Sequence, residues 1–508
     1  MDRNKCLINT QLTLEEDKNI TDRNPDASRI LLEKASPVFD EIRPGKDQVG
    51  LRGRLLYEVL YLSEEGGLYR LQGELPFEEK IRAEGVEPGD GVEVIPVVED
   101  LRTGLINSRK LSIRALLGLC VKAEEIFDEQ VPVDVEPVQG LEVQKRRLKQ
   151  SIVTVDRRDI LRIREEMELP ANLPPVEEIL WESIDLRKWE IRPLENSIGI
   201  QGELQLFLLY EAQGEDRPVK LYEGVLPFSS NLECPGSRGG MIPDMEARLS
   251  MAQLAIKQDY DGENRNLECE AVLDLPIRLL QTDEWEIITD AYSTTQEVTA
   301  LCQTGSRKLV RDRYQGRVKL SQSFPLTTSS SGVLQICHVE SNLSGLEMTA
   351  REGGLEIEGI VTITALYLTQ DENQPYGAVK GEIPYSYFLD TSPLTEGSCW
   401  KVTPILEQCR GILLDAEHIE VKVQIALEII LSEKWEEATV KELQVQPLSI
   451  QKLSTMPGMV VYFAAGGEEL WEVGKKYLTP LESIRSLNQL SGDTLEKGQK
   501  ILVVKEVG

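Results

Sequence analysis

The chain has 508 residues, with 56 Lys or Arg against 86 Asp or Glu, a formal net charge of −30. That length predicts three or four domains of roughly 100–200 residues each. So acidic a field excludes a phosphate backbone as a partner of the whole chain and disfavours a bare anionic membrane.

In chain order, Met1-Asp2-Arg3-Asn4-Lys5-Cys6 is followed by no apolar run. Neither a signal peptide nor a stretch of about 18 apolar residues is present, so no transmembrane segment is expected and the protein is expected in a cytoplasm. The first strong strand signal runs from Gly53 to Tyr61, with Leu55, Tyr57, Val59 and Tyr61 on one face. Glu64-Glu65-Gly66-Gly67 then reads as a hairpin turn into Gly73-Glu74-Leu75-Pro76-Phe77. Proline cannot donate to a ladder, which predicts an edge or bulged strand there. A third alternating strand carries Leu111, Ile113, Ala115, Leu117 and Leu119.

The same series returns twice. The second copy has Gly202 to Tyr210, then Gly224-Val225-Leu226-Pro227-Phe228, then Leu267, Cys269, Ala271, Leu273 and Leu275. The third has Gly359 to Tyr367, a turn at Asp371-Glu372-Asn373, Gly381-Glu382-Ile383-Pro384-Tyr385, then Ile419, Val421, Val423, Ile425 and Leu427. Ile42-Arg43-Pro44, Ile191-Arg192-Pro193 and Met348 mark a matched element ahead of each key glycine. The key glycines lie 149 and 157 residues apart, the span of a duplicated domain rather than a solenoid unit. The opening strand's second face is mixed, with Glu203 and Gln205 beside Phe207 and Leu209, so it should be only partly wet. Arg157 to Glu168 has helical charge spacing, but Ile152, Thr154 and Val155 upstream favour strand. Each repeat is therefore expected to be an antiparallel β-sandwich-like domain.

Residues 440–458 read as a linker region. Met459 to Phe463 is a short strand and Gly466-Gly467 a turn. Leu470, Trp471, Val473 and Tyr477, then Leu481, Ile484 and Leu487, fit two short helices, and Gly498 to Val504 closes with a turn and a strand. The expected domains are 1–137, 138–300 and 301–446 for the repeats, 447–457 for a linker and 458–508 for a mainly strand-helix-helix-strand module.

Little here suggests catalysis. The two histidines, His338 and His418, are expected to be structural, and no Cys or His spacing matches a zinc site. Cys337 and His338 adjoin on a strand and should point to opposite faces. The eight cysteines contain no C-x-x-C pair and are expected to be buried, reduced thiols. Pro235-Gly236-Ser237-Arg238-Gly239-Gly240 lacks the lysine and hydroxyl of a phosphate loop. The basic run Lys145-Arg146-Arg147 with Lys149 reads as a strand edge or interdomain contact, with an acidic-partner patch as the alternative. No enzyme activity, cofactor or metal is expected.

The C-terminal module resembles a LysM domain. Gly467-Glu468-Glu469-Leu470-Trp471-Glu472-Val473-Gly474-Lys475-Lys476-Tyr477 is similar to the family's G-D-T-L-W-x-I-A-x-K-Y run, Ile484-Arg485-Ser486-Leu487-Asn488 to its I-x-x-L-N, and Gly498-Gln499-Lys500-Ile501 to its P-G-Q-x-L. The resemblance implies a shallow groove for N-acetylglucosamine polymers such as peptidoglycan. By position its walls are Gly467, Glu468, Glu469 and Leu470 on one side and Asn488, Gln489, Leu490, Ser491, Gly492 and Asp493 on the other. Three departures bear on that use. Glu468 replaces Asp, Glu469 places a carboxylate where a sugar would pack, and Lys497 stands in place of proline. Glycan binding, protein docking and a purely structural tail all stay open for this module.

Three such β repeats followed by a LysM module resemble the SPOCS–LysM proteins of endospore-forming bacteria. The segment Glu168-Leu169-Pro170 through Pro175-Val176-Glu177-Glu178-Ile179-Leu180 into Gly202 carries the resemblance most strongly, while Pro25 and Ile30 to Leu32 match loosely. The resemblance implies a scaffold of spore coat or spore envelope assembly. It would act in the mother-cell cytoplasm at the forespore surface and dock a coat-basement morphogenetic ATPase or other coat proteins, with the LysM module taking part.

Overall fold

The computed structural model describes residues 2–126, 130–136, 139–326, 332–371, 374–415, 417–449 and 456–505. Glu372 and Asn373 of the expected third-copy turn, and 450–455 of the expected linker, lie outside the described residues.

One topology is built three times. In the first repeat, β1 (Asp2–Asn19), β6 (Lys110–Ile126) and β5 (Gly91–Asn107) form one antiparallel sheet in that order. β2 (Ala27–Gly45), β3 (Gln48–Ser63) and β4 (Leu68–Arg82) form the other. The second repeat pairs β7 (Leu141–Glu168), β13 (Asn264–Ser293) and β12 (Arg248–Gln258), with the short β11 (Ile242–Pro243) added to β13. Its other sheet is β8 (Val176–Leu194), β9 (Ser197–Ala212) and β10 (Val219–Glu233). The third repeat has β14 (Gln296–Pro325), β19 (His418–Pro447) and β18 (Ser398–Leu413) against β15 (Val333–Arg351), β16 (Gly354–Thr369) and β17 (Tyr376–Asp390). The mainly β fold with tandem sandwich-like repeats thus agrees with the alternation. Arg157 to Glu168, ambiguous by charge spacing, is strand.

Period-two patterning places each core. Leu204, Leu206, Leu208 and Tyr210 of β9 pack with Leu267, Cys269, Ala271 and Leu273 of β13. Leu55, Tyr57, Val59 and Tyr61 pack with Leu111, Ile113 and Ala115 in the first repeat. Val361, Ile363, Ala365 and Tyr367 pack with Val421, Val423 and Ile425 in the third. Among the described residues the proline strands β4, β10 and β17 each pair with one neighbour only, so Pro76, Pro227 and Pro384 sit on edges.

The repeated glycine has a partner. Gly53 lies opposite Phe77, Gly202 opposite Phe228, and Gly359 opposite Tyr385. A Cβ built on them would come within 2.8, 2.8 and 2.5 Å of those rings, so the aromatic lies on the glycine. Eight residues on, the tyrosine is buried in every copy, and in the first two its hydroxyl ties down the chain entering the preceding strand. Tyr61 donates to the Pro25 carbonyl at 3.3 Å and Tyr210 to that of Pro174 at 2.9 Å.

The three sandwiches share a junction. It is built from Leu32, Leu60 and Leu62 of the first repeat, Trp181, Phe207 and Leu209 of the second, and Cys337 and Leu366 of the third. The mixed face expected to be partly wet is therefore half interface. A bulge at the same place in each copy, between Ile30 and Leu32, Ile179 and Trp181, and Ile336 and His338, turns the strand toward this junction. Polar bonds cross it: Trp181 Nε1 donates to Glu340 Oε1 at 2.7 Å, and Lys34 Nζ to the Glu182 carbonyl at 2.7 Å. The bulge also corrects one expectation. It breaks alternation at Cys337, so Cys337 and His338 are both buried instead of facing opposite sides. Burial pushes the Cys337 thiol up to about 12, which makes it a poor nucleophile.

The outer strands of the second and third repeats overrun their sandwiches. Among the described residues, 141–152 pair as strands only with 281–293, and 296–306 only with 436–447, as two-stranded ribbons. Thr294 and Thr295 join one ribbon to the other. Val310 N donates to Ser151 Oγ at 3.0 Å across the ribbons, and Arg146 of the basic run bonds Glu437 at 3.1 Å. That part of the run is an interdomain contact.

Candidate functional site

The C-terminal module is built on β20 (Met459–Phe463) and β21 (Lys500–Val504), with α1 (Leu470–Tyr477) and α2 (Leu481–Asn488) packed on one face. Leu470, Val473, Ile484, Leu495, Ile501 and Val503 fill its core. Both helices stop on left-handed residues, Leu478 at φ 52° and Gln489 at φ 55°. Neither N-cap side chain bonds the first turn of its own helix, and Glu472 in the first turn with Lys475 and Lys476 in the last favour the α1 dipole instead.

The two expected groove walls are joined by main-chain bonds. Gly467 N donates to Leu495 O at 3.0 Å, Leu495 N to Glu468 O at 2.8 Å, and Leu470 N to Asp493 O at 2.7 Å. Several side chains of the expected groove serve the module itself. Leu470 is fully buried in the core. The Asn488 amide donates to the carbonyls of Ile484 and Leu502, at 2.8 and 2.7 Å, and accepts from Leu502 N at 2.7 Å. Glu468 accepts from the Tyr462 hydroxyl and Ala465 N at 2.9 and 3.0 Å. Asp493 pairs with Arg485 at 2.5 Å. Leu490 packs half-buried against the core. Gly467, Gln489, Ser491 and Gly492 remain exposed.

Glu469, the departure that puts a carboxylate in the groove, accepts from Gln144 Nε2 of the first ribbon at 2.9 Å. It is one contact of a wider seat. Trp471 Nε1 donates to Asp290 at 2.8 Å, and Lys475 Nζ bonds both oxygens of that carboxylate at 2.7 Å. Tyr292 donates to the Thr479 carbonyl at 2.7 Å in a buried bond, and its ring meets Trp471 edge-on at 4.9 Å. Burial raises the Tyr292 hydroxyl above its ordinary range, so it stays a donor. A Cβ on Gly474 would come within 2.6 Å of that hydroxyl, so the close seat needs a glycine. Sequence reasoning placed Trp471 and Tyr477 on a helix but missed Gln144, Asp290 and Tyr292. Their only signal is the apolar stretch Ile287, Ile288 and Ala291 continuing beyond the third-strand pattern.

Among the described residues, no group of three or more His, Cys, Asp or Glu side chains is placed to hold a metal ion. Among them, too, no helix is long and apolar enough to cross a membrane. A cleft of about 270 Å³ between the second and third repeats is lined by Arg187, Asp185, Ser341 and Asn342. Arg187 already pairs with Asp185 there at 3.0 Å.

Three like sandwiches fused to one small module define a multidomain binding protein. The SipL, SPOCS domain model matches residues 26–106, 175–257 and 332–411, and the LysM domain model matches 467–504. The chain is a SPOCS–LysM protein with three SPOCS repeats and a C-terminal LysM domain. Each SPOCS match begins at the second strand of a sandwich and ends at its penultimate strand, while the first and last strands lie outside it. No curated protein and no solved structure matches the chain. SPOCS and LysM are non-catalytic binding domains, and their combination marks a sporulation-associated protein with a module of the peptidoglycan-binding type.

Proposed function

We propose that the protein is a non-enzymatic scaffold of the spore coat or envelope. In this reading it docks a coat-basement morphogenetic ATPase at the forespore surface, on the mother-cell side, with the LysM module taking part. The observation that carries this is the seat of the LysM module on the ribbon, through Asp290, Tyr292 and Gln144. A module held in place by another domain, with Leu470, Asn488, Glu468 and Asp493 already engaged, is suited to presenting a surface to a protein. Pull-down from sporulating-cell extract with the full chain, and with a chain lacking residues 459–508, tests it. Capture of coat proteins that depends on the module is expected, and no capture by the full chain contradicts it.

The second reading is peptidoglycan binding by the LysM domain. Gly467, Gln489, Ser491 and Gly492, exposed at the groove, favour it. Cosedimentation of the full chain with purified cell-wall material is the test, and an equal amount sedimenting without residues 459–508 would sink it.

A further inference from the structure

The second and third repeats meet along their sheet edges. Among the described residues, β8 and β12 of one and β15 and β18 of the other each end a sheet, and the cleft of about 270 Å³ opens where they converge. Its apolar walls belong to the two cores. Leu249 and Ile405 pack with the core of the second repeat, and Leu343 and Leu406 with that of the third, so the cleft is preformed.

The sandwich itself does not account for the charge placed there. Arg187 is 7 % exposed, yet among the described residues its guanidinium makes a single hydrogen bond, from Nη2 to Asp185 at 3.0 Å. Its cross-strand neighbour Glu203 is held by Lys188 instead, at 2.8 Å. No nitrogen of Arg187 is sealed away without a partner, so its remaining N–H groups open on the cleft. Asn342 lines the cleft from the facing repeat, and its side-chain amide bonds no described residue. The Asp185 and Arg187 pair is particular to the second copy. At the matching register the first copy has Ser36 and Val38, and the third has Asn342 and Ser344. Neither member of the pair bonds the third repeat, a task that falls to Asp244 with Lys401 and to Trp181 with Glu340.

We propose that this cleft binds a small carboxylate with a branched apolar body, the carboxylate seated on Arg187. Asp185 uses one hydrogen of Nη2, which leaves one full edge of the guanidinium for a two-point bond. Asp185 stands at the rim, 38 % exposed, where solvent screens its repulsion of a second carboxylate while it holds the guanidinium in line. The Asn342 amide would donate to the same ligand, and Leu249, Leu343, Ile405 and Leu406 would cover its body. The volume lies just under the usual range of about 300–1,000 Å³, which suits one such molecule or the last residue of a chain. Such binding requires neither the scaffold role nor the LysM module.

Isothermal titration of the full chain with N-acetyl-leucine tests it, with N-acetyl-leucinamide as the uncharged control. The acid should bind, and the amide about tenfold more weakly or not at all. Arg187→Lys keeps the charge but loses the fork and should weaken binding of the acid about tenfold. Asn342→Ala, at an exposed strand position, should weaken it about threefold and covers the case in which the Arg187 change disturbs folding. A pentapeptide ending in leucine with a free carboxylate separates the two sources of the group. Binding of peptide and acid alike points to the C-terminus of a partner chain, and binding of the acid alone to a free organic acid. Equal binding of acid and amide, undiminished binding by Arg187→Lys or by Asn342→Ala, or no binding of either carboxylate overturns the proposal. None of these outcomes bears on coat-protein capture, so the scaffold reading stands or falls on its own pull-down.

Discussion

Gly202 and Phe228 face each other across β9 and β10, and the ring occupies the space a side chain would need. Gly202→Ala should cost about 1–3 kcal/mol in urea unfolding, because overpacking pushes the ring off its seat. Phe228→Leu in the same chain should recover part of that loss, a coupling a double-mutant cycle reads directly. Both halves of this pair were legible in the sequence as separate strand marks. Their contact was not, because register across a hairpin depends on the turn between. A second residue gives a pH signature. Glu340 keeps some exposed surface, but its carboxyl lies within the junction, bonded to Trp181, and burial raises it above the usual carboxylate range although His338 and Lys34 pull the other way. The folded protein then keeps that proton to higher pH than the unfolded chain. Stability therefore falls as pH rises from the ordinary carboxylate value, about 4.3, through the raised one. Glu340→Gln keeps the acceptor for Trp181 and removes the titration. Thermal unfolding should show the wild-type melting temperature dropping relative to this variant as pH rises through that window.

At the scale of elements, the ribbons and the LysM module belong together. Asp290 alone receives Trp471 and Lys475. Asp290→Ala should release the module at a cost of about 1–3 kcal/mol, seen as faster proteolytic cleavage within 447–457 while the repeats stay intact. Asn488→Ala should instead destabilise the module itself, by about 1–3 kcal/mol, since it strands the Leu502 main chain at an uncovered edge. The strand-helix-helix-strand order was legible from the apolar spacing of Leu470, Val473 and Ile484. Of the groove residues, the internal tasks of Asn488, Glu468 and Asp493 were not, because each is bonded to a group far along the chain or across a turn. The ribbons were missed for a related reason. Beyond Leu280 the strand faces a second ribbon and the LysM helix rather than one core and water, so Ile287, Ile288, Ala291 and Tyr292 are all buried and period-two alternation fades.

At the scale of the molecule, the junction makes three repeats one body. Trp181 is buried in it, reaches Glu340 of the third repeat, and lies under Lys34 of the first at 4.9 Å. Trp181→Ala should cost about 3–5 kcal/mol and increase the radius of gyration in small-angle scattering as the repeats part. Nothing in the sequence gave that arrangement beyond the mixed face of Phe207 and Leu209, since equivalent positions in three copies say what repeats and not how the copies meet. The shared body offers a fixed frame for one LysM module, and the central claim is that this frame organises a coat layer at the forespore surface. The most direct test is to image a fluorescent fusion of the full chain in sporulating cells beside one lacking residues 459–508. The account predicts a ring around the forespore with the full chain and its loss or interruption without the module. A full chain dispersed through the mother cell, or an unchanged ring without residues 459–508, would contradict it.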